Sequence, residues 1–304
     1  MRIDQKETII KNGLSEDSVL VVGIVKSIEN SIKLDISRIE KSLSFFKETS
    51  WYLVESGSSD KSREALEELT RRKKNFEYIS LEESTKSKLS RTEKMAMARN
   101  QYLDFIRKND ISQRYKYVVI ADFNLLNSKI SKYSVLSSWT RTDWDIVTSN
   151  QNGPYYDIWA LRHKYWSPND CWEHHAFLMK HLNFPEKAIT YAIRARMIKI
   201  PKDSDWIPVD SAFGGFAIYK SAVFKNTSHY RGTDNEGNQI CEHVPFHNQL
   251  RNFGVRIFVN PSMINTNYTD HSRRIGHVSR FFRLAQYPFK LVRRSLVNKY
   301  VNSK

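Results

Sequence analysis

Apolar runs alternate with stretches of helical periodicity over the first 124 residues, and this alternation constrains the fold more than any other feature. Four runs rich in β-branched and aromatic residues are predicted to be buried strands, at 18–25, 51–55, 76–81 and 115–124. Amphipathic stretches separate these runs, and one of them begins at a capping box formed by Ser90 and Glu93. This order predicts a parallel sheet with crossover helices.

The second half of the chain adds further strands around an insertion. We expect strands at 144–148, 157–162, 210–219 and 255–259. A helical insertion rich in Trp and His covers about 164–200, and residues 240–247 lead into another helix. No internal repeat and no Pro/Gly-rich linker divides the chain, so we expect one α/β domain over residues 1–270, with a mostly parallel central sheet flanked by helices.

Cysteine content and hydropathy indicate the cellular compartment. Cys171 and Cys241 form no disulfide framework, and neither has a second cysteine at metal-ligand spacing, which fits a reducing compartment. The N-terminal residues are polar and no run of eighteen apolar residues exists, so the sequence predicts neither a signal peptide nor a membrane span. We therefore expect a cytoplasmic protein.

Most of the excess positive charge lies at the C-terminus. The net charge is +15, and residues 271–304 hold nine Lys or Arg and no Asp or Glu, which leaves a net charge of +6 for residues 1–270. Aromatic and aliphatic residues alternate with these cations, as in segments that bind an anionic membrane surface. A C-terminal helix packed on the body is the alternative. Nucleic acid is not expected, because no zinc knuckle, RNP-like strand or Gly-rich basic repeat is present.

The end of the fourth predicted strand is the most informative functional signal. Asp122 and Asn124 follow the apolar run directly, at the edge where open α/β sheets bind ligands. On an extended chain the two side chains point the same way. They can then hold a hydroxyl-rich ligand, or share a divalent cation with a diphosphate. A surface turn is the alternative.

Charged residues on the neighbouring elements favour a diphosphate ligand. Glu55 and Asp60 follow the second strand, where acidic residues accept hydrogen bonds from a ribose or a base; Asp60 also suits the cap of the next helix. Arg91 and Arg99 flank a helix that faces the same edge, and they can offset the charge of a leaving diphosphate. Ordinary surface cations are the alternative.

Residues of the second half suit an acceptor site. Gly214 and Gly215 remove side chains from an apolar strand, either for close approach of a ligand or for a β-bulge. Trp159 can present a flat face to a sugar, although such aromatics also fill cores. Glu242 and His243 are candidate general bases for a hydroxyl that must lose its proton, and a glutamate favoured by a helix N-terminus is the alternative.

Five segments in order resemble nucleotide-sugar-dependent glycosyltransferases of the GT-A fold, across about residues 18–262. They are the turn at 54–60, the helix position Ala98-Arg99-Asn100, the Asp-x-Asp-like motif at 121–124, the Gly-bearing strand at 213–219 and the acidic motif at 241–244.

The resemblance implies a role for each segment. It implies donor binding by Glu55, Asp60, Arg99, Asn100, Asp122 and Asn124, and an acceptor site near Gly214 and Gly215; the residues themselves add Arg91 to the donor side and Trp159 to the acceptor side. The resemblance also implies Mn or Mg on Asp122 and Asn124, and His271 is a further candidate that would complete a donor or metal site from the C-terminal side. Asn124 departs from the family pattern, because an amide is a poorer ligand than a carboxylate, which puts metal dependence in question.

Two hypotheses follow. In the first, the protein transfers a hexose from a nucleotide-sugar donor to a glycan or lipid-linked acceptor in surface polysaccharide synthesis, acting at the inner face of the membrane. In the second, it is a non-catalytic peripheral membrane or polysaccharide-binding protein.

Overall fold

The computed structural model describes residues 13–82, 88–182, 185–227, 229–270 and 272. The proposed C-terminal tail, except Ser272, lies outside these residues. The strands are β1 (Ser18–Val25), β2 (Glu48–Glu55), β3 (Phe76–Ser80), β4 (Tyr117–Ala121), β5 (Ile146–Gln151), β6 (Ile207–Val209), β7 (Phe216–Lys220) and β8 (Ile257–Thr266). The α-helices with described bounds are α1 (Ile32–Ser42), α2 (Ser62–Arg72), α3 (Arg91–Lys108), α4 (Lys132–Leu136), α5 (Cys171–His181), α6 (Pro185–Ala192) and α7 (His243–Asn252).

All eight described strands form one sheet in the order β3-β2-β1-β4-β7-β5-β8-β6. The pairs β1–β2, β1–β4, β2–β3 and β5–β8 are parallel, whereas β6 and β7 run antiparallel to their neighbours. The predicted α/β fold with a mostly parallel central sheet flanked by helices is confirmed.

The central strands are apolar throughout because both faces of the sheet are covered. Along β1, Leu20 and Val22 point into a cluster with α3 and the 164–200 insertion. Val19 and Val21 point into a second cluster with α1, α2 and α4. The sheet is therefore the middle of three layers.

The strand order changes direction between β1 and β4. From β1 the chain moves outward through β2 to β3, and it then crosses to β4 on the other side of β1. The connecting helices change sides as well, because α1 and α2 pack on one face of the sheet and α3 packs on the other. In open α/β sheets the ligand crevice lies at the carboxyl ends of the strands at such a point.

Three of the predicted strands differ most from the structure. Residues 157–162 form a turn rather than a strand, because Asp157 accepts a hydrogen bond from the Gly214 amide (2.8 Å) and the Arg162 guanidinium donates to the Trp159 carbonyl (2.9 Å). The predicted strand at 210–219 is ordered as a strand only from Phe216. Strand β8 continues past the predicted end to Thr266.

Both cysteines are free and buried. Cys171 is the first residue of α5, and Cys241 lies just before α7. In the described part of the chain, no helix combines the length and the apolar character that crossing a bilayer requires.

Candidate active site

Asp122 lies at the carboxyl end of β4, beside the point where the strand order changes. Its amide donates to the Gly215 carbonyl (2.9 Å), and its side chain stays 31% exposed. Burial raises the pKa of Asp122 to about 6; the charges of Asp157 and Glu242 add to this shift, while Arg99 opposes it. Positive charge added near Asp122 would therefore stabilise its ionised form.

Arg99 is a buried cation behind Asp122. It projects from α3, is 1% exposed, and donates from Nε to Glu242 Oε1 (2.7 Å). Its Nη2 lies 3.7 Å from Asp122 Oδ1, and its Nη1 donates to the Tyr102 hydroxyl (3.1 Å). The guanidinium also packs over the Phe213 ring at 5.2 Å, so its position is fixed on several sides.

Asp157 is a third carboxylate in this group, and sequence reasoning did not single it out. It accepts from the Gly214 amide, and burial together with the charge of Glu242 raises its pKa. Three carboxylates, Asp122, Asp157 and Glu242, thus interact with Arg99. The only sequence signal for Asp157 was an acidic residue next to an apolar segment.

The Gly214-Gly215 pair forms the turn that holds these groups together. Both residues have positive φ, 73° and 87°. The Gly214 carbonyl accepts from Ser149 Oγ (3.0 Å) and Asn265 Nδ2 (2.8 Å). A Cβ on Gly214 would lie 2.8 Å from the Ser149 carbonyl. Backbone conformation and close packing therefore account for both glycines.

Asn124 does not continue the strand. The strand ends at Ala121, and Asn124 and Leu125 have positive φ, 64° and 63°. The expectation of an extended chain from Asp122 to Asn124 is therefore wrong. The turn is held by Asp35 of α1, whose two carboxylate oxygens accept from the Leu125 amide at 3.2 and 3.1 Å. Burial raises the pKa of Asp35, a residue that sequence reasoning also missed.

Glu55 lies at the carboxyl end of β2, and its carboxylate accepts hydrogen bonds from other residues of the protein. Its buried carboxylate accepts from the Ser58 amide (2.5 Å) and from Arg63 Nε (2.9 Å). Burial alone would raise the pKa of Glu55, but the hydrogen bonds from Ser58, Ser80 and Arg63 outweigh burial and lower it. Glu55 thus fixes the β2–α2 loop.

Asp60 joins the loops that follow β1 and β2. Its carboxylate accepts from the Ser62 amide (3.1 Å) and from the Glu29 amide (3.2 Å). Two more contacts cross between these loops, from the Ser27 amide to Ser58 Oγ (2.9 Å) and from the Ile28 amide to Ser62 Oγ (2.7 Å). These hydrogen bonds join the two loops at the carboxyl end of the sheet.

The remaining predicted ligand-binding residues lie on different elements. Arg91 is exposed in the first turn of α3. The Asn100 side chain donates to the Tyr230 carbonyl (3.1 Å) and accepts from the Tyr230 amide (2.7 Å). The Trp159 indole donates to Asp170 Oδ2 (3.0 Å). Asn100 and Trp159 are therefore held by the protein itself.

Glu242 and His243 lie where α7 begins. Glu242 is 4% exposed and ion-paired with Arg99. The His243 ring stacks on Phe213 at 4.2 Å, and neither ring nitrogen has a hydrogen-bond partner among the described residues. Burial, with Arg99 and His247, holds the pKa of His243 well below its usual range, so the ring is neutral and weakly basic.

A cavity of about 460 Å³ with both polar and apolar lining residues lies beside α7. Val244, Asn248 and Asn252 line it from the helix, and Arg231 and Asp234 line it from a neighbouring loop. Amides, carboxylates and guanidinium groups are suited to hydrogen bonding with hydroxyl groups.

The predicted metal site has few donors in the described residues. None of these residues forms a group of three or more His, Cys, Asp and Glu placed to bind a metal ion. His271 lies outside the described residues. Asp122 is one carboxylate beside a guanidinium, and Asn124 lies in the following turn, so the described donors do not fit a resident metal on their own.

Comparison with known proteins finds similarity in structure only. No protein-family model matches the sequence, and no curated protein matches it. A mannosyltransferase from Pyrobaculum calidifontis, solved with GDP-Man and Mn²⁺, is 12% identical over 95% of this chain and 71% of that chain, with a TM-score of 0.44.

Two further solved structures are similar at the same level. S. aureus TarS 1–349 is 14% identical over 80% of this chain, which spans 57% of that one, with a TM-score of 0.40. Glucosyl-3-phosphoglycerate synthase from Mycobacterium tuberculosis, solved with Mn²⁺ and UDP-glucose, is 12% identical over 86% of this chain and 72% of that chain, with a TM-score of 0.38. At these identities the similarity concerns the fold alone.

Proposed function

We propose that this protein is a glycosyltransferase that moves a hexose from a nucleotide-sugar donor to a hydroxyl group of a glycan or lipid-linked acceptor, in surface polysaccharide synthesis. The observation that carries the proposal is Asp122. It is a partly exposed carboxylate at the change in strand order, with a raised pKa, backed by the buried cation Arg99. A carboxylate whose ionisation is unfavourable in the free protein suits a ligand that brings positive charge or hydrogen-bond donors.

The reaction forms one bond and breaks one bond at the anomeric carbon of the sugar. The acceptor oxygen bonds to the anomeric carbon, and the bond from that carbon to the diphosphate oxygen breaks. The electron pair of the broken bond leaves with the nucleoside diphosphate, and the acceptor proton passes to a base. Positive charge near the leaving group lowers the barrier, since negative charge develops there.

The crevice between the β1–α1 and β2–α2 loops and Asp122 is the proposed donor site. Its wall is fixed before any ligand binds, because Glu55 and Asp60 hold the two loops. Asp122 would face the sugar hydroxyls or the diphosphate, and Arg91 would supply an exposed charge at the start of α3. A fixed site of this kind lowers the entropic cost of binding.

The proposed acceptor side is the cavity beside α7, because the helix that lines it begins next to Glu242. Glu242 is the proposed base. It would accept the proton on a carboxylate that the hydrogen bond from Arg99 Nε to Oε1 holds in place. His243 is a weaker candidate because its pKa is low, and Asp157 is added as a further one because its pKa is raised.

Asp122 would be the residue that holds a divalent cation if one enters with the donor, and the cation would offset the negative charge of the diphosphate. The Asn124→Asp variant tests it, because a second carboxylate adds charge to a weak site for a hard cation. If donor turnover in parent and variant follows the same manganese titration curve, position 124 does not contact a metal.

The proposal is tested by donor hydrolysis and thermal shift with the purified full chain, across UDP-, GDP- and CMP-sugars, with and without manganese. Turnover of one donor, lost in Asp122→Ala but kept in the exposed control Asp143→Ala, is the expected result. The proposal is rejected if no nucleotide shifts the melting temperature and no donor is turned over.

A non-catalytic carbohydrate-binding protein is the second candidate. The bonding of Glu55, Asp60 and Asn100 within the protein favours it, because these side chains are then less available to a donor. Binding of a polysaccharide without turnover of any donor in the same assays would favour this function.

A further inference from the structure

Large apolar side chains are concentrated on the outside of the 164–200 insertion. Of the twelve large hydrophobic residues that are exposed in the described part of the chain, seven lie in this segment. They are 43–83% exposed, and they are Tyr165, Trp172, Phe177, Met179, Leu182, Tyr191 and Ile198. Single exposed hydrophobic residues are ordinary, whereas seven within one segment are suited to contact with a second apolar environment.

The insertion also has an inner apolar face, so the outer residues are not its contribution to the core. Cys171 and Leu178 of α5 and Ala188 and Ala192 of α6 are buried in the cluster that covers the sheet. Helices with apolar residues beyond the core-facing side suit a second apolar environment.

The outer side chains are displayed on a fixed frame. Arg196 donates to Ser167 Oγ (3.1 Å) and Asn169 Oδ1 (2.7 Å), and its carbonyl accepts from the Trp166 indole (2.6 Å). Asp170 caps α5 by accepting from the Trp172 amide (2.8 Å). Trp172 therefore projects from the first turn of a helix whose start is held in place.

The exposed charges of the insertion are mostly positive. Among its described side chains, the exposed cations are Lys164, Lys180, Lys187 and Lys199, whereas Glu173 is the exposed anion. Aromatic and aliphatic side chains interspersed with lysines are typical of surfaces that bind at the headgroup level of a bilayer. A second copy of this chain would bring the same cations into contact with one another, which disfavours self-association through this face.

We infer that the 164–200 insertion docks the protein on an anionic lipid surface, with the aromatic side chains among the headgroups and the lysines against lipid phosphates. The inference concerns residues 164–200, a different part of the sequence from the predicted membrane-binding segment at 271–304, and it does not depend on sugar transfer. Because the cavity beside α7 includes Asp170 and Glu173 of the same insertion, docking would place that cavity near the membrane.

The test is partition of the full chain between buffer and vesicles of phosphatidylcholine, with or without phosphatidylglycerol. The Trp172→Ala/Phe177→Ala double variant removes two exposed aromatic residues of the insertion, and Tyr133→Ala/Phe253→Ala removes two exposed aromatic residues elsewhere. The first pair should lower partition to anionic vesicles at least about tenfold, since full burial of even one such side chain contributes about that factor. The control pair should leave partition unchanged.

A second variant checks the charge component. Lys180→Gln/Lys199→Gln should lower binding to anionic vesicles about thirtyfold and leave binding to zwitterionic vesicles unchanged, as expected for two cations near an anionic leaflet. Circular dichroism confirms that each variant is folded. Partition of the parent that is absent, or that is equal in the Trp172/Phe177 variant, overturns the inference. A dimer in light scattering that the Trp172/Phe177 variant abolishes, without vesicle binding, overturns it in favour of a second copy.

Discussion

At the scale of single residues, Asp122 combines partial exposure with an unfavourable charge. Its pKa in the folded protein is about 6, above the ordinary value of 3.8. The folded state therefore holds the proton more tightly than the unfolded state. As the pH rises between these two values, the unfolded state ionises first, so the free energy of unfolding falls. This decrease is complete above about pH 6.

Asp122→Asn should therefore stabilise the protein at pH 7 while abolishing transfer. The gain is expected to be on the order of 1 kcal/mol, less than the full shift implies because the side chain is partly exposed to solvent. It should disappear below about pH 4, where both states of the parent are protonated. Urea unfolding from pH 4 to pH 7 measures it.

Asp143→Asn is the matched control. Asp143 pairs with Arg141, and the pKa of Asp143 is lowered to about 2, so this substitution should give no gain at pH 7. An Asp122→Asn effect of equal size at pH 4 and pH 7 would show that ionisation of Asp122 is not its cause.

Glu242→Gln separates a base from a structural residue. Glutamine keeps an oxygen for Arg99 Nε but cannot take up the acceptor proton, so transfer should fall about 10²–10⁴-fold. The free energy of unfolding should fall by about 1–3 kcal/mol, because a charged partner of a buried cation becomes neutral. Nucleotide affinity should change little, and calorimetry measures it alongside the rate.

Two results would remove Glu242 from the role of base. A rate that falls less than about fivefold is inconsistent with general-base loss, and Asp157→Asn and His243→Gln become the next variants. Loss of nucleotide affinity in step with the rate would place Glu242 in the donor pocket or in the scaffold.

At the scale of elements, the turn before β7 connects the site to the sheet. Gly214→Ala places a Cβ 2.8 Å from the Ser149 carbonyl at a φ of 73°, so strain and a backbone clash act together. Gly237 has a φ of 85° and nothing within 4 Å of an added Cβ, so Gly237→Ala tests strain alone. We expect Gly214→Ala to cost about 2–4 kcal/mol and Gly237→Ala about 1 kcal/mol, measured by urea unfolding. Equal costs would mean that the packing of this turn against β5 adds nothing.

The sequence predicts best the strands that are buried on both faces of the sheet. β1, β2 and β4 are buried on both faces, so apolar composition alone marks them. The second half of β8 instead carries buried polar residues such as Asn265 and Thr266, which pair across the sheet and leave no apolar pattern. Residues 157–162 carry an apolar pattern, but hydrogen bonds to Gly214 and within the segment make them a turn.

The candidate site was likewise predictable only where a local sequence pattern marks the residue. Asp122 was visible because it ends an apolar strand, and Arg99 because it lies on the adjoining helix. Asp35 and Asp157 act through backbone amides 90 and 57 residues away, and no local pattern marks such partners. The backbone conformation of Asn124 was hidden for a similar reason, because it depends on Asp35.

At the scale of the whole molecule, burial decreases from the centre of the sheet to its edges. β4 is buried along its whole length, whereas β3 at one edge and the three-residue β6 at the other are partly exposed. Amide hydrogen exchange should therefore be slowest in β1, β4 and β7 and fastest in β3 and β6. Mass spectrometry of peptides from the labelled protein measures this order. Protection in β3 equal to that in β4 would contradict it.

The alkylation rates of the two buried cysteines report local opening of the protein. Burial raises the pKa of Cys171 to about 12 and holds that of Cys241 well above its usual range, so almost no thiolate is present at neutral pH. Alkylation then requires each thiol to be uncovered first. Cys171 begins α5 of the insertion and Cys241 lies next to the proposed base, so the two labelling rates separate motion near the proposed lipid-binding face from motion near Glu242. No engineered label is needed to ask whether a nucleotide closes one region and a vesicle the other.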